Sequence, residues 1–496
     1  MSGSITVPNY PDTNRVPGFY FALDNSRANT ATQVRRVLIV GQMLATGSAT
    51  AGTPSLSAGP SDAIAKYGAG SQCARMVQAY RQVDTVNELW VLPLADEADG
   101  TAATGKILLT GTATESGTLW LYVGDSLVST AVTAGDTAAT IAENVVTAAA
   151  SVSNLPVSLA VDATTAGQID VTALNKGEVG NTFLLGLNLL GTAGAQATPG
   201  GITVTLTQMT GGAQNPSTLA SALAGIGDRV YDLMPHPFMD VTSLTAFKTN
   251  LNDVDGRWCP LEQLYGQAIT AYRGTYGDAT GLTYLPDDQH QTIMPISDSP
   301  SDVCQWAAWI AARTALSMLS NPALPITGLS IPAMPPTDAG RFIRDQRNSL
   351  LYDGLSTFTV SDSGTVMIER LTTTYRTNAS GQADNSYLDI ETLLTAQVCL
   401  QDLRSYLAAC VGGYILVADG SKIPAGAQAT TAALIGKLAA ARYQWQSTQM
   451  WVQNPDEFAA AVVATNEGGG GVKLFLPYQF ANQLWVIAGD CQFTKP

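Results

Sequence analysis

Apolar residues along this chain switch between strand-like and helix-like spacing. Residues 36–41 (RVLIVG) and 89–94 (LWVLPL) are short, nearly continuous apolar runs, the pattern of strands buried on both faces. Between them Ser71 stands where a helix cap belongs. Met76, Val77 and Tyr80 follow on one face, which predicts a helix through about residue 82. Ahead of this α/β stretch, Phe19, Phe21 and Leu23 alternate between Val16-Pro17-Gly18 and Asp24-Asn25-Ser26. That pattern predicts a half-buried strand in an arm of residues 1–30. A polar stretch separates it from the next strand, so its pairing partner lies elsewhere.

The pattern changes at Asp96. From residue 96 to 215 the chain is rich in Thr, Gly and Ala, with Lys106 and Lys176 as its only basic residues. Alternating strands are expected at 106–110, 118–123, 127–132, 169–173 and 202–207, separated by Gly and Asn turns. A helix capped near Asp136 carries Ile141, Val145 and Val146. This is a mostly-β module inserted between α/β segments, 31–95 before it and 216–330 after it. In the latter, residues 230–234 form a strand, and Asp302 caps a long apolar helix that Asn321-Pro322 stops.

Residues 331–480 read as a separate unit. A helix beginning near Thr337 would align Arg341, Arg344 and Arg347 on one side. A hairpin follows, with Phe358 and Val360 turning at residues 361–364 into Val366 and Ile368. Helices are expected at 389–407 and 430–446, the second carrying Lys437 and Arg442 as its only charges. Residues 472–476 read as a strand, and Gly468–Gly471 as a flexible connection into it. In the terminal segment 481–496, residues 484–493 read as another strand. Its stretch 484–488 is continuously apolar, as in a strand covered on both sides.

Composition narrows the function. The 496 residues exceed what one hydrophobic core organises. Only 13% are charged, against 46% hydrophobic. So little charge suits a protein that spends its life in contact with neighbours, because interface cores are charge-poor. A net charge of −15 argues against nucleic-acid binding and against an anionic membrane surface. No run approaches the length of a membrane span. The first ten residues lack the basic and apolar regions of a signal sequence, so folding in the cytosol is expected. Six scattered cysteines without a C-x-x-C favour buried free thiols, and with only His236 and His290 there is little material for a structural zinc.

Catalytic patterns exist only in fragments. Gly124-Asp125-Ser126-Leu127 spells the nucleophile block of GDSL hydrolases, and Asp287-Asp288-Gln289-His290 supplies a D-x-x-H. Asn252-Asp253 loosely imitates a further block. An esterase or carbohydrate-active virion enzyme would use Ser126 as nucleophile, His290 as base and Asp287 to orient it. Flanking strands on both sides make Gly124-Asp125-Ser126 a hairpin tip instead. Residues 100–106 have P-loop spacing, but Ile107 stands where a magnesium-binding hydroxyl belongs, and a strand follows, not a helix. Asp287 and Asp288 read as a solvated turn rather than a calcium loop. A soluble adhesin built on the β-module is a further alternative. No cofactor or metal is expected.

The last third carries an ordered set of motifs: Ala333 to Asp338, Arg347-Asn348-Ser349-Leu350-Leu351-Tyr352-Asp353-Gly354 with Phe358-Thr359-Val360, Gly364 to Arg370 with Thr372-Thr373-Thr374-Tyr375, and Asp384 to Asp389 with Arg404. Phe458, Leu474-Phe475-Leu476-Pro477, Asn482-Gln483-Leu484 and Gln492-Phe493 close the chain. At the front stand Arg15-Val16-Pro17-Gly18, Asp24-Asn25 and residues 36–42. In the module, residues 175–181 add a weaker likeness. Together they resemble the contractile tail-sheath family of Mu-like phages, with one departure at Gly468–Gly471 and Lys473.

That resemblance implies an α/β sheath core, an inserted mostly-β outer domain and extended strand arms at both ends. It further implies six-fold rings of copies stacked around a tail tube, with baseplate and tail-terminator proteins at the two ends. Phe19, Phe21 and Leu23, and Leu484, Val486 and Phe493, are the candidate inter-subunit strand residues. Arg341, Arg344, Arg347, Lys437 and Arg442 are candidate partner-facing bases.

Overall fold

The apolar run Arg36–Gln42 lies inside a six-stranded sheet in the computed structural model, which describes residues 35–495. The strand order is Gln291–Pro295, Gln267–Tyr272, Leu233–Pro235, Arg36–Gln42, Glu88–Leu94, Ser55–Leu56. All neighbours run parallel except the last pair. Val37 to Val40 are fully buried, as a parallel sheet covered on both faces requires. The helix Gln72–Val83 packs against the helix Val303–Ser320, which also lies on the Gln267–Tyr272 strand. Both start as their sequence dictates. The Ser71 side chain accepts from the Ala74 N–H, and Asp302 forms a reciprocal capping box with Gln305. Trp306 and Trp309 fill the space beneath.

The Thr/Gly/Ala-rich module has its own apolar cluster, drawn from residues 103–209. One antiparallel sheet orders Ile202–Thr210, Ala102–Gly111, Gln168–Lys176 and Val157–Val161. A second orders Ser126–Val132, Gly117–Val123 and Leu185–Leu187. The helix Ala138–Ala150 is capped by Thr137, one residue beyond the expected Asp136, and turns Ile141 and Val145 inward. The strands Val157–Val161 and Leu185–Leu187 are too short, or too rich in small residues, to stand out by alternation.

A buried polar network joins the module to the central sheet. Gln42 donates to Asp96 at 2.7 Å and accepts from Gln72 at 2.6 Å. Asn175 accepts from the Gln72 N–H and donates to Asp96. Asn154, held at φ 61°, accepts from the Gly70 N–H at 2.7 Å and donates to Gln78 at 2.6 Å. Nearby, Arg75 pairs with Asp302 out of solvent and donates to the Asn154 carbonyl at 3.2 Å. Burial opposes the Arg75 charge, but Asp302 and Asp125 outweigh that and raise its pKa.

The last third is stitched onto the edge strand of the central sheet by the Thr-Thr-Thr-Tyr stretch. Thr373 bridges Thr292, and the Thr374 N–H donates to the Gln291 carbonyl. Gly354 serves this seam: at φ 75° a Cβ there would lie 3.1 Å from the Thr374 backbone. The expected hairpin is Thr357–Val360 paired with Val366–Arg370. The helices are Ile390–Val411 and Ala432–Thr448.

Two expectations need correction here. The helix expected from Thr337 begins at Arg344, because Thr337 closes a local turn with Gly340 while its hydroxyl donates to Asp298. Gly468–Gly471 is no loose connection but the turn of a hairpin, Val463–Gly468 with Gly471–Phe475. Gly468, Gly469 and Gly470 all adopt positive φ there.

Candidate assembly surface

The C-terminal body is built on a small aromatic cluster. Tyr443 of the Ala432–Thr448 helix stacks on Phe458 with 3.7 Å between ring centres, and Tyr478 meets both edge-on. Gly436 lets the Val463–Gly468 strand approach this helix: a Cβ there would sit 3.2 Å from that of Ala464. Val462, Ala464, Val472 and Leu474 face inward, while Val463 and Phe475 are 52% and 62% exposed. Among the described residues neither edge of this two-stranded sheet has a further strand. Such a hairpin is marginal alone, and its open edges offer rows of unpaired N–H and C=O groups.

The chain then runs back over the surface. The Ala481 N–H donates to the Trp451 carbonyl at 2.9 Å, and the Gln483 amide donates to the Ala323 carbonyl at 3.2 Å. Trp485 is the next inward residue. Leu484, Val486 and Phe493 are 71%, 79% and 85% exposed. Among the described residues no strand forms over 484–493, and none lies beside its apolar stretch 484–488. Phe19, Phe21 and Leu23 lie outside the described residues.

The five bases do not form one surface. Arg341 precedes the Arg344–Tyr352 helix and pairs with Asp338 at 2.8 Å. Arg347 is drawn inward to Glu369 at 2.8 Å and to the Phe342 carbonyl at 2.7 Å. Arg344 alone of the three is exposed, so the expected stripe is broken. On the Ala432–Thr448 helix, Arg442 is committed to Asp402 on the neighbouring helix and stacks on Trp445 at 3.7 Å. Lys437 remains exposed, near Leu434 and Trp445 on the outer side.

The hydrolase fragments are kept apart. Ser126 opens a strand directly after the Gly124-Asp125 tip, paired with Val123. The tip docks on the core: Asp125 accepts from Gln305 at 2.9 Å, and burial raises its pKa. His290 faces Asp253 at 3.1 Å and stacks on Trp258, not on Asp287. The Asp287 carboxylate is taken by the Arg376 and Thr377 N–H groups. Asp288 is used by the His290 N–H and the Gln291 amide, and no cluster of metal-binding side chains occurs among the described residues. Of the cysteines, Cys73, Cys259, Cys304 and Cys399 are buried and unpaired, whereas Cys491 is exposed on the terminal segment.

The family model for the central domain of phage tail sheath proteins matches residues 211–374, the span that holds Thr373 and Thr374 with their partners Thr292 and Gln291. A Mu-like prophage tail sheath protein of Haemophilus influenzae is 35% identical over 435 residues, covering 87% of each chain. The chain belongs to the phage tail sheath family. It is a structural subunit of a contractile tail sheath, a component of the virion tail that acts as an assembly of copies. The fold agrees: the sheath tail protein of Listeria innocua superposes with a TM-score of 0.50 at 13% identity, over 90% of this chain and 92% of that one. A chain of the anti-feeding prophage baseplate gives 0.51 at 10% identity, over 97% and 99%.

Two features of this sheath subunit escaped the sequence reading, the Val463–Phe475 hairpin and the anchorage of Trp485. The first had a signal: four glycines between two alternating runs spell a turn as readily as a linker. The second had none, since Arg370 and Asp389 lie about a hundred residues earlier in the chain.

Proposed function

We propose that copies of this chain form six-fold rings stacked around a tail tube, woven together by their terminal arms. Baseplate and terminator proteins bound the two ends. The observation that carries this reading is the pairing, in one chain, of a hairpin with two open edges and an exposed apolar terminal strand. Addition of strands from neighbouring copies would satisfy both. The arms of residues 1–30 and 481–496 are the donors, with Phe19, Phe21, Leu23, Leu484, Val486 and Phe493 as the residues that enter the shared sheet. The Val463–Phe475 hairpin is the acceptor. Head-to-tail contacts of this kind close into rings where the rotation permits and otherwise extend as a helical stack.

The same reading assigns residues 31–95, 216–330 and 331–480 to the core and residues 96–215 to an outward-facing domain. Lys437, with Leu434 and Trp445, is the surface placed toward the tube. Assembly takes place in the host cytoplasm. Contraction is a rearrangement from a metastable extended lattice to one richer in contacts, with the arms keeping neighbours connected while the tube is driven through the host envelope. It requires no catalytic site.

Electron microscopy of the purified full chain tests the reading: tubes or stacked rings are expected, and persistent monomers at high concentration would refute it. Deleting residues 1–24 should abolish polymers while circular dichroism shows a folded monomer. Unchanged polymers in sedimentation would rule out the N-terminal arm as a donor.

A further inference from the structure

The C-terminal arm leaves the body at a built seat. Arg370, at the end of the Val366–Arg370 strand, forms a two-pronged pair with Asp389, its Nε and Nη2 donating at 2.7 and 2.9 Å. The Trp485 indole N–H donates to the same carboxylate at 3.1 Å, and the Arg370 guanidinium lies over the indole, 4.7 Å from its centre. One acidic side chain thus holds a cation and an aromatic that also hold each other. The seat is rigid: the Thr372–Asp389 bridge and the Ile390 N–H to Leu371 carbonyl bond lock its two sides together. Before Trp485, Ala481 and Gln483 bond to the body. After it every residue through Lys495 is exposed, and the one polar contact within that stretch is internal, from Gln492 to Asp490.

We propose that the Arg370–Asp389 seat clamps Trp485 as the fixed root of the arm, so that residues 486–496 form the free tether beyond it that reaches a second copy. Fully extended, that tether spans at most about 40 Å. Fixing its root limits the directions in which it leaves the body and removes conformational freedom before it pairs, as preorganisation does for any binding segment. The proposal rests on the reading of the arm as a strand donor, and the experiment separates the two.

Three variants are compared with the parent: full-length Trp485→Ala, full-length Trp485→Phe, and a chain ending at Trp485. Hydrogen exchange on the unassembled subunit reads the seat, and sedimentation reads assembly. In Trp485→Ala, the Ala481 amide, which donates to the Trp451 carbonyl, should exchange at least tenfold faster while those of the Ala432–Thr448 helix do not change. Its assembly midpoint should move to several-fold higher protein concentration. Trp485→Phe, which keeps the stack on Arg370 but not the N–H donor, should fall between. The chain ending at Trp485 should not assemble. If it assembles as the parent does, the strand-donor reading fails. If it does not, yet Trp485→Ala matches the parent in exchange or in assembly, the anchor proposal is overturned.

Discussion

Glu391 stands two residues after Asp389, in the first turn of the Ile390–Val411 helix, and is fully buried. Its Oε1 accepts from the Ile326 N–H at 2.7 Å, and its Oε2 is buried without a partner. Burial pushes this carboxyl from 4.5 up to about 7, and the nearby Asp389 charge adds to the rise; the bond from Ile326 and the Arg370 charge offset only part of it. Holding the ionised form in the fold therefore costs about 3 kcal/mol. The unfolded carboxyl loses its proton near 4.5, whereas the folded one keeps it until about 7. Between these values the folded state binds more protons, so stability falls as pH rises and levels off above about 7. Glu391→Gln keeps the acceptor for Ile326 and is neutral throughout. Urea unfolding of the unassembled subunit should find the two proteins alike at pH 4.5. At pH 8 the variant should be more stable by about 2–3 kcal/mol, the lower figure allowing for the lost attraction between a charged first-turn residue and the helix dipole. Equal stability at both pH values, or a less stable variant at pH 8, would refute the buried-carboxylate reasoning.

Other perturbations probe other joints. Asn154→Ala should destabilise the module's junction with the core by about 3 kcal/mol, from lost buried hydrogen bonds and an unfavourable positive φ, seen as faster proteolysis between residues 96 and 215. Arg75→Ala leaves Asp302 buried without its cation and should cost about 3–5 kcal/mol in thermal or denaturant unfolding, whereas a loss of about 1 kcal/mol or less, the size expected of an exposed pair, would contradict the pairing geometry. Arg442→Ala should loosen the contact between the two long C-terminal helices by about 2 kcal/mol without abolishing assembly. Complete loss of polymers from a folded Arg442→Ala subunit would show that Arg442 has a partner beyond Asp402.

Local rules made the core legible. Ser71 and Asp302 announce their helices because a cap is written in one or two residues, and Val37–Val40 reads as a doubly covered strand because nothing polar interrupts it. The module's character followed from a change in composition, but its attachment did not. Gln42, Gln72, Asn154 and Asn175 are ordinary polar residues until the fold brings them together with partners 30 to 103 positions away and removes their water. The arginine stripe failed for a related reason. Helical spacing is informative only inside a helix, and the turn at Thr337 holds Arg341 outside it.

The terminal segment is a different kind of mismatch. Residues 484–488 carry the continuous apolar signature of a covered strand, yet Leu484, Val486 and Ile487 are at least 71% exposed within the chain. At roughly 25 cal/mol per Å² of apolar surface, leaving three such side chains in water forgoes several kcal/mol. A sequence keeps that pattern at little cost if the cover comes from another copy, and the Val463–Phe475 hairpin, with both edges open, is the kind of surface that supplies it. On this argument hydropathy along the arm is written for the polymer, while the inward-facing Gln483 and Trp485 are written for the subunit. The two patterns alternate from Gln483 to Trp485, and beyond Trp485 only the polymer's remains.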